Sequence, residues 1–125
     1  MPAEWHPQDA VWMAWPWDEV EWDGEIDAAR REVAELARTL ASSQTVEMLV
    51  APAARASASR ALDGSPVRLR ECPYGDIWLR DTGCVFLIGD GQLSAARFRW
   101  TGWAGKFVFE HDDGVAVRMA AMAGV

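Results

Sequence analysis

A chain of 125 residues that is 50% apolar and 25% charged can bury the core of one modest domain, not two, and is too apolar for wholesale disorder. No apolar run reaches the ~18 residues of a membrane span, and no basic start precedes an apolar signal core, so a soluble cytoplasmic protein is expected. The net charge of −7 argues against a nucleic-acid surface, which needs a basic patch, and agrees only loosely with a cationic partner.

Val11 to Trp15 reads as a first strand, stopped by Pro16. Around it runs an acidic stretch of Glu4, Asp9, Asp18, Glu19, Glu21, Asp23, Glu25 and Asp27, with no basic residue before Arg30. The spacing and glycine of a calcium loop are missing, so a solvated loop leading into a helix is expected. That helix runs from Glu25 to Leu40, with Ile26, Val33, Leu36, Ala37 and Leu40 at helical spacing, and ends at Ser42-Ser43. Thr45 to Val50 alternates and then becomes continuously apolar, as a largely buried strand does.

Pro52 opens a short helix over Ala53 to Leu62, closed by Asp63-Gly64, and Val67 to Arg70 forms a further short strand. After Pro73 an extended segment is predicted over Asp76 to Asp81, which places Asp76, Trp78 and Arg80 on one side and Asp81 at the strand end. Cys84 to Ile88 and Leu93 to Arg99 flank Gly89-Asp90-Gly91, a hairpin turn. A last helix covers Val115 to Met122, with Asp112 or Asp113 as its cap. The alternation of strands and helices is an α/β pattern.

Cys72 and Cys84 are too few for a disulfide framework, and with only His6 and His111 to join them no metal-ligand cluster assembles, so no metal or cofactor is expected. Trp5, Trp12, Trp15, Trp17 and Trp22 serve either as a platform for a sugar ring or, the simpler reading, as packing in the core and at sheet edges.

Asp76-Ile77-Trp78-Leu79-Arg80-Asp81-Thr82-Gly83 concentrates the chemistry: carboxylates, an indole and a guanidinium in one run. A carboxylate beside an indole suits a flat cation, which takes bidentate charge-assisted bonds from the first and stacks on the second. From residues alone, Asp81 either does this or pairs with Arg80 or caps the turn at Thr82-Gly83, and the latter is simpler. Trp78 either walls a cleft or joins the core. Arg80 repels a cation unless paired, so it is expected to support the loop through an ion pair, with Asp76 as its partner. Asp76 is otherwise a second carboxylate for the substrate.

Residues Gly75 to Gly83 resemble the Asp-x-Trp-x-Arg-Asp segment of the agmatine deiminase and bacterial-type peptidylarginine deiminase family. The opening Met1 to Pro16 is similar to that family's amino terminus, and Phe98 to Lys106 to its Trp/Gly-rich segment. The stretches occur in the family's order and span nearly the whole chain. Cys84 stands where the family commonly has a proline, and Thr101 and Ala104 depart from its usual pattern.

The resemblance implies an α/β fold of the pentein type, a β/α propeller of five ββαβ-like blades, of which this chain supplies about two. Residues 1–125 are then the amino-terminal part of a single deiminase domain, a fragment whose open sheet edge and apolar surface make it poorly soluble. It also implies hydrolysis of agmatine to N-carbamoylputrescine and ammonia on a route to putrescine and other polyamines, or of peptidyl or free arginine. The partner is a small cationic guanidino substrate, with no nucleic acid and no membrane. Of the family's catalytic set, only Asp81 maps onto this chain, as the carboxylate that holds guanidinium nitrogens. Trp78 and Asp76 line the substrate and Arg80 supports them. The cysteine nucleophile and the histidine are unmatched, so the chain alone is expected to be inactive. A reading from another class is a Trp-rich binding module without catalysis.

Overall fold

The computed structural model describes residue 3 and residues 5–125. Met1, Pro2 and Glu4 of the opening motif lie outside the described residues. The chain divides into two compact units, Gln8–Pro73 and Tyr74–Val125 together with Met1–Pro7.

In the first unit, strands β1 (Ala10–Ala14), β2 (Thr45–Val50) and β3 (Arg68–Glu71) form a parallel sheet in the order β1-β2-β3. Parallel strands need crossovers, and helices α1 (Ile26–Ala41) and α2 (Arg55–Ala61) provide them. A 3-10 turn over Pro52–Ala54 leads into α2, with Pro52 at the position where its missing N–H costs nothing.

Val46, Met48 and Val50 of β2 point to one face and meet Trp15, Ala34, Ala37, Ala54, Ala58 and Leu62. Trp15 is fully buried, and its indole N–H donates to Ser57 Oγ at 3.0 Å, which satisfies the one polar atom the ring carries inward. Trp17 packs against the same core. The small side chains of Ala34 and Ala37 form the inward stripe of α1, with Ile26. Leu36, predicted for this face, is 52% exposed, because it lies about 100° around the helix from Ala37.

The opposite face of β2 carries Glu47, whose side chain is only 7% exposed. Arg68 and Arg70 project from the same face of β3, and Arg68 lies in register with Glu47. Arg70 grips the carboxylate bidentately, Nε to Oε2 at 2.6 Å and Nη2 to Oε1 at 3.3 Å, and Arg68 Nη1 reaches Oε1 at 3.2 Å. Burial pushes the Glu47 carboxyl up, but the hydrogen bonds and charges of Arg70 and Arg68 outweigh it and hold the group below its ordinary 4.5.

A depressed folded-state value stabilises the fold above the unfolded-state pKa, and that contribution disappears as pH falls from about 4.5 through the lowered value. The midpoint of urea unfolding is therefore expected to fall as pH drops below about 4.5 and through the lowered value. Arg70→Met should flatten this acid limb, and an unchanged limb would show that Glu47 does not depend on its pair.

In the second unit, β4 (Val85–Gly89) and β5 (Gln92–Ala96) form an antiparallel hairpin. Asp90 and Gly91 close it with φ of 52° and 75°, the two positive values that match the twist of a tight hairpin. A short helical turn, α3 (Leu79–Thr82), precedes it, and α4 (Asp112–Met122) ends the chain with Val115, Ala116 and Met119 buried. Phe98, Trp103, Phe107 and Val108 are exposed on this unit. Among the described residues no helix is long and apolar enough to cross a membrane.

Gly102–Gly105 form a left-handed turn in which Trp103 and Ala104 hold φ of 52° and 60°. The Gly105 N–H donates to Thr101 O at 2.8 Å, and Trp103 meets Trp100 edge-on with centroids 5.9 Å apart. Ala104 carries a Cβ where glycine is at ease, so Ala104→Gly is expected to raise stability by up to ~1 kcal/mol in urea denaturation. A destabilised variant would contradict this.

Candidate functional site

The Asp76–Asp81 segment is not an extended strand. Residues 75 to 78 form an irregular loop and Leu79–Thr82 a helical turn, so the predicted alternation of sides does not occur. The reason is local hydrogen bonding. The N–H groups of Asp81 and Thr82 donate to Trp78 O at 3.0 and 3.1 Å, Thr82 Oγ1 donates to the same oxygen at 3.2 Å, and Gly83 N–H donates to Leu79 O at 2.9 Å. Asp76 Oδ1 faces the Trp78 N–H at 3.4 Å, the side-chain-to-backbone turn that Asp favours.

This turn places Asp81 three residues, a little under one helical turn, from Trp78. Trp78 is 65% exposed and is not a core residue. Asp81 is partly buried, and among the described residues its carboxylate takes part in no ion pair or side-chain hydrogen bond. Arg80 is exposed, and no ion pair joins it to Asp81 or to Asp76, its predicted partner. Burial pushes the Asp76 carboxyl up, against the N–H groups of Trp78 and Ile77, and the charge of Asp81 adds to the push.

The segment is fastened at both ends. Gly75 donates its N–H to Asp112 Oδ1 at 2.8 Å, and Asp76 donates to the same oxygen at 3.2 Å. A Cβ on Gly75 would lie 2.2 Å from Phe109 Cβ, so only glycine allows this approach. At the other end a Cβ on Gly83 would lie 2.5 Å from Leu79 O and 3.0 Å from Met119 Sδ of α4.

Asp112 or Asp113 was expected as the helix cap, and neither is. Asp112 is instead the first residue of α4, buried at 1% exposure, and its side chain caps nothing. His111, with φ of 76°, occupies the cap position. Burial also pushes the Asp112 carboxyl up, opposed by the two N–H groups, with the charges of Asp76 and Arg118 acting in opposite senses. The one sequence signal for this residue was the Asp-Asp pair before the last helix, which reads as a cap because the sequence does not show what lies opposite.

Two clefts lie away from this loop. One of about 710 Å³ is lined by α1 and α2, among others by Trp15, Arg30, Arg38 and Ser57. Another of about 620 Å³ lies by the hairpin and α4 and includes Cys84. Neither includes Asp76, Trp78 or Asp81. Cys72 is buried, and burial pushes the Cys84 thiol up, the opposite of what a thiolate nucleophile needs. Among the described residues no group of His, Cys, Asp and Glu is placed to hold a metal ion.

With the loop geometry in place, comparison with known proteins is decisive. The Porphyromonas-type peptidyl-arginine deiminase family matches residues 1–125. The chain belongs to this family.

Among deiminase relatives, a Marinomonas sp. (strain MWYL1) protein provisionally named agmatine deiminase is 35% identical over 130 aligned positions, covering 99% of this chain and 35% of its own length. The agmatine deiminase of Ectopseudomonas mendocina (strain ymp) is 31% identical, covering 99% of this chain and 35% of its own. The structure of the agmatine deiminase of Enterococcus faecalis superposes with a TM-score of 0.91 at 26% identity, over all of this chain and 36% of the other. The chain thus spans about a third of the length of the deiminase relatives it matches.

Proposed function

We propose that the chain is the guanidinium-gripping part of a deiminase that hydrolyses agmatine to N-carbamoylputrescine and ammonia. One C–N bond of the guanidinium breaks, the nitrogen leaves as ammonia, and water supplies the oxygen of the ureido group. A reaction at that carbon needs the nitrogens held in plane, because attack from above the plane converts a delocalised cation into a tetrahedral adduct. Asp81 takes that task. Its carboxylate accepts bonds from two guanidinium nitrogens and keeps the positive charge stabilised as the adduct forms. Trp78 offers its exposed face to the alkyl-guanidinium, and Asp76 lies on the same loop as a second carboxylate. Arg80, in the same turn as Asp81, supports the geometry of the loop.

The observation that carries this is the Asp81 carboxylate, unengaged among the described residues and three positions after the exposed Trp78, on a loop held at both ends. In the pentein-type architecture we propose, the hairpin β4-β5 and helix α4 are the ββα part of one blade and the first unit belongs to another, about two blades of five. The remaining walls of the substrate site, with the nucleophile and the general acid/base, would come from the rest of a longer protein.

The test is an NMR titration of the chain with agmatine and with putrescine, which keeps the amine and lacks the guanidinium. Charge-assisted bonds of about 3 kcal/mol and a stack of about 1 kcal/mol place agmatine binding in the ~1 mM range. The Trp78 indole N–H and the Asp81 amide are expected to shift with agmatine and not with putrescine. Equal shifts with both would refute the proposal. The family description names peptidyl-arginine, so an arginine-containing peptide belongs in the same titration. Tighter binding of the peptide would favour that substrate. No ammonia should be released from agmatine by the chain alone.

A further inference from the structure

We propose that Asp112 is the positioning residue of this guanidinium site, setting the place of the Asp76–Asp81 turn through the backbone N–H groups of Gly75 and Asp76. The inference rests on the deiminase reading above and extends it to a residue outside the motif that carries it.

Three observations converge on Asp112. Its Oδ1 accepts both N–H groups, at 2.8 and 3.2 Å, across 37 and 36 residues of sequence. Its Oδ2 is buried and finds no hydrogen-bond partner among the described residues, so the side chain is committed to those two donors and to no cap. The helix it begins also holds the far end of the loop, where Met119 packs against Gly83. Helix α4 is therefore a mount with two fixings, one on either side of the Trp78–Asp81 turn. A binding carboxylate is effective only where its oxygens are held in place, because a ligand-induced search for the right geometry subtracts from affinity. Among the described residues the Asp81 carboxylate has no hydrogen-bond or ion-pair partner to fix it. Its position therefore depends on the backbone on either side, and on the upstream side that is the Asp112 clamp.

A residue that only stabilised the fold would change the folded fraction and leave the affinity of each folded molecule intact. Asp112→Ala, Asp112→Asn, Asp112→Glu and, as a control on the exposed neighbour, Asp113→Ala separate the two. Agmatine titrations by NMR are read against folded signal only. Asp112→Ala should weaken agmatine about tenfold or more, as loss of an outer-shell partner commonly does, while Asp112→Asn keeps an acceptor at Oδ1 and should stay within about threefold. Asp113→Ala should bind as the unaltered chain does. If Asp112→Ala does not fold, Asp112→Glu decides, because it keeps the charge and moves the acceptor by about one C–C bond, with a loss of roughly tenfold expected. Unchanged affinity in the folded Ala or Glu variant would overturn the positioning role alone. Absence of saturable agmatine binding in the unaltered chain would overturn the deiminase reading and this role with it.

Discussion

Gly75→Ala is expected to cost the fold about 1–3 kcal/mol and to release the candidate loop. The added Cβ would stand 2.2 Å from Phe109 Cβ and 3.3 Å from Glu110 O. Neither neighbour can swing aside as the tip of a long side chain could, since one is the root of a side chain and the other is backbone. The loop or the Phe109-Glu110 segment must shift, and the Gly75 N–H then leaves Asp112. A companion variant makes the cause visible. Phe109→Ala retains the Cβ that clashes and should give no rescue, whereas Phe109→Gly removes it and should recover part of the lost stability. Urea unfolding followed by circular dichroism measures both. Wild-type stability in Gly75→Ala would show that the close approach is not required.

Asp81→Asn is expected to weaken agmatine by about 10–100-fold, the loss of charge-assisted bonds worth ~1.5–3 kcal/mol. The amide keeps the shape of the carboxylate but presents only one acceptor oxygen and no charge, so a planar cation loses its bidentate grip. Stability should change little, because Asp81 engages nothing among the described residues that an amide would strand. The contrast with Gly75→Ala is the useful part. One substitution breaks the mount and should alter fold and binding together, and the other leaves the mount and should alter binding alone. A large fall in stability for Asp81→Asn would place Asp81 among structural residues instead.

Much of the fold could be read from periodicity because the core of the first unit is built from regular elements. Thr45 to Val50 announced a buried strand by its apolar run, and the structure places β2 at the centre of the sheet. Asp90-Gly91 announced a hairpin because few residue pairs accept two positive φ values. The failures share a cause. Leu36 was placed on the apolar face by helical spacing together with Ala37, but the inward stripe runs through Ala34 and Ala37, where small side chains let helix and sheet approach. The Asp76–Asp81 run alternates like a strand, but its Asp and Thr side chains close local hydrogen bonds that bend it into a turn. Asp112 looked like a cap, and only the fold brings Gly75 and Asp76 opposite its carboxylate. The motif itself was visible because its unusual residue types sit close together in sequence. The mount was invisible because it joins positions far apart in sequence.

The most direct measurement is a crystal structure of the chain grown or soaked with agmatine at concentrations above the millimolar range. The expected result is a guanidinium with two nitrogens within about 3 Å of the Asp81 carboxylate oxygens and its plane against the Trp78 ring. A guanidinium seated elsewhere, or an Asp81 side chain turned onto Arg80 with agmatine bound, would contradict the assignment of this loop as the grip on the substrate.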